Sequence, residues 1–90
     1  MSYIFKATPT FWKKFYDLPN EQKDVVREKW KLFKADPFHP SLGTHKIHGL
    51  SAIAKQTVYS VVIEADLRVL FQIDGNIIKS FDLGTHDLYQ

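Results

Sequence analysis

The Asp74-Gly75 pair between two apolar runs constrains this chain more than any other feature. Leu67 to Ile73 precedes it and Asn76 to Leu83 follows it. Asp-Gly supplies the backbone freedom that a two-residue hairpin turn needs, so the two runs are expected to pair as antiparallel strands. Thr57 to Ile63 is β-branched and aromatic and reads as a further strand, with Glu64-Ala65-Asp66 turning the chain between them. Strands that follow one another across short turns are antiparallel. Lys46-Ile-His-Gly-Leu50 and Tyr3-Ile-Phe-Lys-Ala7 read as shorter strands.

The N-terminal third has a different period. Pro9 suits the first turn of a helix, and Phe11, Phe15 and Leu18 recur at helical spacing. Pro19-Asn20 breaks and restarts the pattern. Val26, Trp30 and Phe33 form the next stripe, with Asp17 or Asn20 as its expected cap and Asp36-Pro37 as its stop. Pro37 to Gly43 is a loop by composition. The order is one strand, two antiparallel helices, then three or four strands. These elements predict a single α+β domain over 1–90, with both helices on one face of a small, mainly antiparallel sheet.

Alternation then sorts the strand Leu67–Ile73. Leu67, Val69, Phe71 and Ile73 share an apolar face for the helices, and Arg68, Leu70 and Gln72 share the other. A β-bulge would reverse this assignment. Arg68 is thus expected on an open face, within reach of a ligand.

Composition closes several routes. The chain has no cysteine, so disulfides and thiolate zinc sites are excluded. No apolar run reaches the ~20 residues of a membrane span, and no basic-then-apolar leader opens the sequence, so a cytoplasmic protein without membrane contact is expected. A net charge of +2 permits nucleic-acid binding without requiring it. No G-x-x-x-x-G-K-[ST], G-x-G-x-x-G or nucleophile-elbow serine is present, which removes support from ATP, nicotinamide and serine-hydrolase chemistry.

The remaining chemistry sits late in the chain. Arg68 reads either as a planar clamp on a phosphate or as a surface cation paired with Glu64, Asp66 or Asp82. His86 reads as a general acid or base or as an exposed tail residue. Asp87 either orients a histidine or is a plain surface acid. Tyr89 either donates a proton or stacks, or it docks the tail on the sheet. His39, His45 and His48 invite a metal reading, but no helical His-x-x-x-His pair and no carboxylate at ligand spacing accompanies them, so neither a metal nor a cofactor is expected. His48 is a candidate base if its strand lies beside that of Arg68.

Four segments carry a resemblance. They are Phe11-x3-Phe15-x2-Leu18-Pro19, Leu42…Lys46-Ile47-His48-Gly49-Leu50, Asp66-Leu67-Arg68-Val69-Leu70-Phe71 and Gly84-Thr85-His86-Asp87-Leu88-Tyr89. Together they resemble the RelE/ParE superfamily, the toxic halves of toxin–antitoxin pairs. The Gly-Thr-His tail is similar to the YafQ branch, and Lys-Ile-His-Gly-Leu to the HigB branch.

The resemblance implies a RelE-like fold, a cognate antitoxin, and ribosome-dependent, metal-independent cleavage of messenger RNA in the A site. In that chemistry the ribose 2′-oxygen attacks the adjacent phosphate and the 5′-oxygen leaves. By position, Arg68 would stabilise charge on the phosphate, His86 and His48 would serve as acid or base, Tyr89 would stack or donate, and Asp87 would orient a histidine. Lys46 and Lys55 are expected to bind RNA. One departure stands out: RelE carries two lysines on the strand before the arginine strand, where this chain reads Tyr59-Ser-Val-Val-Ile63. A histidine-based mechanism would have to replace a lysine-based one. The same resemblance leaves room for a ParE-like inhibitor of DNA gyrase, or for a decayed toxin that only binds its antitoxin.

Overall fold

The computed structural model describes residues 3–48 and 57–85. Strand β1 (Ile4–Ala7) leads into helix α1 (Pro9–Tyr16) and helix α2 (Asn20–Ala35). A 3-10 turn (Pro40–Leu42) precedes β2 (His45–Lys46), and β3 (Val58–Glu64), β4 (Leu67–Asp74) and β5 (Ile77–Gly84) follow among the described residues. The five strands form one sheet in the order β1-β5-β4-β3-β2. Every pairing is antiparallel except that of β1 with β5. The expected α+β architecture, with paired helices on one side of a mainly antiparallel sheet, is the one observed.

Each helix starts for a different reason. Thr8 caps α1, accepting from the Phe11 backbone N–H at 3.2 Å, and Pro9 fills the first helical position. α2 has no side-chain cap: Pro19 occupies the cap position, so neither Asp17 nor Asn20 does the expected work. Glu21 in its first turn and Lys34 in its last complement the helix dipole. Asp36, in extended conformation, ends it before Pro37.

The core lies between helices and sheet. Phe11, Phe15, Val26 and Phe33 from the helices meet Val61, Ile63, Leu67, Val69, Phe71, Ile78 and Leu83 from the strands. Phe33 sits edge-on to Phe71 with centroids 5.0 Å apart, and Tyr59 stacks on Phe71 at 5.2 Å. The alternation read for β4 holds along its length, because the register irregularities fall in β3 and β5 and leave β4 regular. One lies between Val62 and Glu64, and the other gives β5 an extra residue, Phe81, opposite the step from Leu70 to Phe71. The extra residue has a clear function. Strict alternation would send Asp82 inward behind Ile78 and Ser80, whereas the bulge turns Leu83 inward and Asp82 out.

Three expectations need correction. The β4–β5 turn is Gly75-Asn76, not Asp74-Gly75: Asp74 still pairs with Ile77, and Gly75 takes the left-handed φ of 60°. Of the strand expected from Lys46 to Leu50, the described residues show strand at His45–Lys46 and a helical backbone at His48, and Gly49 and Leu50 lie outside them. The second face of the sheet is open only in part. Ile4, Lys6 and Lys79 are exposed there, but Val58, Ser60 and Leu70 are buried.

Candidate functional site

Arg68 lies on β4 with Val62 of β3 on one side and Gly84 of β5 on the other, on the face away from the helices. Its position follows from its neighbours: Leu67 and Val69 are drawn into the core, so Arg68 between them must point away. The guanidinium is oriented by carbonyls. Nη1 donates to the Ala65 carbonyl at 2.7 Å and more weakly to that of Leu67 at 3.5 Å. Ala65 holds a left-handed φ of 42°, unusual for a residue with a Cβ. The turn is therefore strained at the residue whose carbonyl steers the arginine.

Among the described residues no carboxylate forms an ion pair with Arg68. Asp82, one of the three partners expected from the sequence, lies on the same face but is held by Lys14 at 2.6 Å. Nε is buried and has no hydrogen-bond partner among the described residues. Carbonyl acceptors orient the fork without cancelling its charge, which leaves a cation suited to an incoming phosphate.

The register also shows where the tail begins. Gly84 is the direct partner of Arg68, so β5 ends in the arginine's row and Thr85 follows one residue beyond it. His86, Asp87 and Tyr89 follow within five residues of Gly84 but lie outside the described residues, as does Lys55.

His48 does not meet the condition set for it. β2 pairs with β3, not with β4, and it runs away from the Arg68 row: His45 opposes Ser60 and Lys46 opposes Tyr59, whereas Arg68 opposes Val62. His48 is exposed beyond that strand's end. Lys46 is exposed at the sheet edge and, opposite Tyr59, belongs to the helix side.

His45 is the histidine that shares the Arg68 face. It stands in one row with Ser60 and Leu70, and strand spacings put its Cα roughly 12 Å from that of Arg68. Its Nδ1 lies 3.0 Å from the Gly43 carbonyl, which can only accept, so in the neutral ring Nδ1 carries the proton and Nε2 the lone pair. Gly43 is left-handed at φ 55°, and a Cβ there would come within 3.1 Å of Val62. Alternation along β2 could have flagged His45, had the strand's true start been readable. His39 has a structural task instead: its Nδ1 accepts from the Ser41 backbone N–H at 3.1 Å and caps the 3-10 turn.

A separate concavity of about 340 Å³ opens between the helices, lined by Phe11, Trp12, Phe15, Tyr16, Arg27 and Trp30 among others. Trp12 and Tyr16 are exposed there, and Arg27 lies over the Phe15 ring. It is on the opposite side of the sheet from Arg68.

No family model and no curated protein sequence matches the chain. Solved structures do. A chain of the archaeal RelE–RelB complex from Pyrococcus horikoshii OT3 superposes with a TM-score of 0.72 at 17% identity, covering 94% of this chain and 96% of that one. A chain of the E. coli DinJ–YafQ toxin–antitoxin complex gives 0.72 at 11% identity over 98% and 97%. The YoeB/ParE toxin from Agrobacterium tumefaciens gives 0.69 at 14% over 96% and 99%. Identities this low speak to architecture, and the architecture is plain: the chain has the fold of the RelE/ParE-superfamily toxins.

Proposed function

We propose that the chain is the toxin of a toxin–antitoxin pair and an endoribonuclease that cuts messenger RNA in the ribosomal A site. The observation that carries the reading is Arg68, a cation unmatched by any described carboxylate, on the face away from the helices and beside the strand end that leads into the tail. Two of the similar structures are of toxins in complex with their antitoxins, which supports a protein partner of that kind here. The reading places the protein in the cytoplasm, where ribosomes are.

In the proposed reaction the ribose 2′-hydroxyl attacks the adjacent phosphorus. Its proton passes to a base, for which His86 is the leading candidate. The phosphorus–5′-oxygen bond breaks, and the leaving oxygen takes a proton from an acid such as Tyr89. The products are a cyclic phosphate and a free 5′-hydroxyl. Arg68 would stabilise the charge that builds on the phosphate oxygens. Asp87 would orient the histidine, and Lys55 would hold RNA nearby. No step is routed through a metal.

Primer extension on programmed ribosomes tests this. Wild-type protein is expected to cut in the A site, to spare naked RNA, and to slow by about 10²–10³-fold when Arg68 is replaced by alanine. An Arg68→Ala variant that cuts at the wild-type rate would remove the arginine from the site. The YoeB/ParE likeness supports a second reading, inhibition of DNA gyrase. Intact message together with a DNA-damage response on expression would favour it.

A further inference from the structure

The parallel pairing of β1 with β5 sets Lys6 directly beside Lys79. Neighbouring strands lie about 4.8 Å apart, so the two side chains leave the sheet as a pair. Their face is fixed by the residues around them. Phe5, Ala7 and Ile78 pack into the helix-side core and Ser80 is buried, so Lys6 and Lys79, alternating with these, point the other way. That is the face of Arg68. Gln72 is the partner of Lys79 on β4 and extends the row to Lys6, Lys79 and Gln72.

Like charges directly across a strand pair destabilise it, and no described residue forms an ion pair with either lysine of this one. Both lysines are exposed. Three lysines of the helices do have partners: Lys14 is tied to Asp82, Lys31 to Glu28, and Lys23 lies over the Tyr16 ring. Asp74 is the acidic residue on β4 nearest Lys79, but it is offset along the strand, opposite Ile77. Between this row and Arg68 lies Asp82, already neutralised by Lys14. Gln72 and Arg68 are four residues apart on one strand, about 13 Å, so cationic groups at the two ends of that span flank a stretch of sheet.

We infer that Lys6 and Lys79 form a phosphate-binding pair that holds the backbone of single-stranded RNA at a distance from Arg68. The inference rests on the endoribonuclease reading for the identity of the nucleic acid. A flexible strand with one phosphate at Arg68 would run across the sheet and set a second one between the two ammonium groups. Two positive charges at one strand spacing suit a phosphate because each lysine is a point charge with rotatable donors. The pair adds affinity and direction; the bond-breaking groups lie elsewhere.

The test is the salt dependence of binding. A fluorescent 12-nucleotide single-stranded RNA is titrated with wild-type protein, a Lys6→Ser/Lys79→Ser variant and a Lys13→Ser/Lys34→Ser control that loses the same charge from the helices. Circular dichroism checks that all three fold. Losing the one phosphate held between the two lysines is expected to lower the slope of log affinity against log salt by about 0.7, while the control keeps the wild-type slope. An equal drop in both variants, an unchanged slope in the sheet variant, or no RNA binding by wild-type protein would each overturn the inference. So would a poly-glutamate peptide that displaces the RNA from wild-type protein yet binds the sheet variant as well as it binds wild type.

The same variants in the programmed-ribosome assay separate this inference from the reading beneath it. The sheet variant is expected to need several-fold more protein for half-maximal cleavage, with its maximal rate within twofold of wild type. Lysine-dependent RNA binding without any cleavage would leave the phosphate pair standing and remove the nuclease. Cleavage by wild type, with unchanged slope and half-maximal concentration in the sheet variant, would do the reverse.

Discussion

Arg68 shows how a single residue can be placed by forces that have nothing to do with its charge. Core packing of Leu67 and Val69 sends it to the other face, and two carbonyls aim its fork. Arg68→Lys is therefore expected to lose nearly as much cleavage as Arg68→Ala, because a point charge cannot reproduce a planar fork. Both variants should fold, since neither alters the helix-side core; single-turnover rates and circular dichroism check the two statements. Ala65 belongs to the same device. A left-handed residue with a Cβ costs about 1–2 kcal/mol. Ala65→Gly relieves that cost but adds backbone freedom to the unfolded chain, so a net gain of up to about 1 kcal/mol is expected in urea denaturation. The face of Arg68 was readable from period two alone. Its hydrogen bonds were not, because they depend on a turn conformation that the residue type disfavours.

At the scale of elements, Thr8 joins three pieces of chain. Its hydroxyl accepts from Phe11 at the start of α1 and donates to the carbonyl of Phe81, the extra residue in the β5 bulge. Its backbone N–H donates to Ser80. Thr8→Val keeps the shape and loses both side-chain bonds. A cost of about 1–2 kcal/mol is expected in urea denaturation, with Thr8→Ser recovering most of it. The β1–β5 pair gives the opposite sign. Lys79→Glu turns a like-charge neighbour into an ion pair with Lys6 and should stabilise the fold by about 0.2–1 kcal/mol while weakening RNA binding. A higher melting temperature alongside poorer binding would show that the lysine pair is kept at the expense of stability. The sequence announced both helices and the last three strands because each is a run of consecutive residues with its own period. It did not announce the bulge, since Ile78, Ser80 and Leu83 share a face only once Phe81 is taken out of the count.

For the whole molecule, 90 residues allow one helix-side core, so single core residues weigh heavily. Phe71 is fully buried and touches rings from both α2 and β3. Phe71→Ala is expected to cost about 3–5 kcal/mol, a large share of the 5–15 kcal/mol that holds such domains together, and the shift of the urea midpoint measures it. The sheet also organises the candidate site. It brings the start of the tail to Arg68 through Gly84, keeps His48 two strands away, and moves His45 onto the arginine's face. The residues themselves determined the helical stripes, the antiparallel succession of β3, β4 and β5, and the inward and outward sides of β4. Those features depend on spacings of a few residues, and local periodicity records them. Only the tertiary structure decided that β1 returns beside β5, that Lys6 meets Lys79, that β2 lies beyond β3, and that Asp82 is taken by Lys14 rather than Arg68. Strands pair through backbone groups that almost every residue carries alike, so no side-chain pattern within one strand names its distant neighbour.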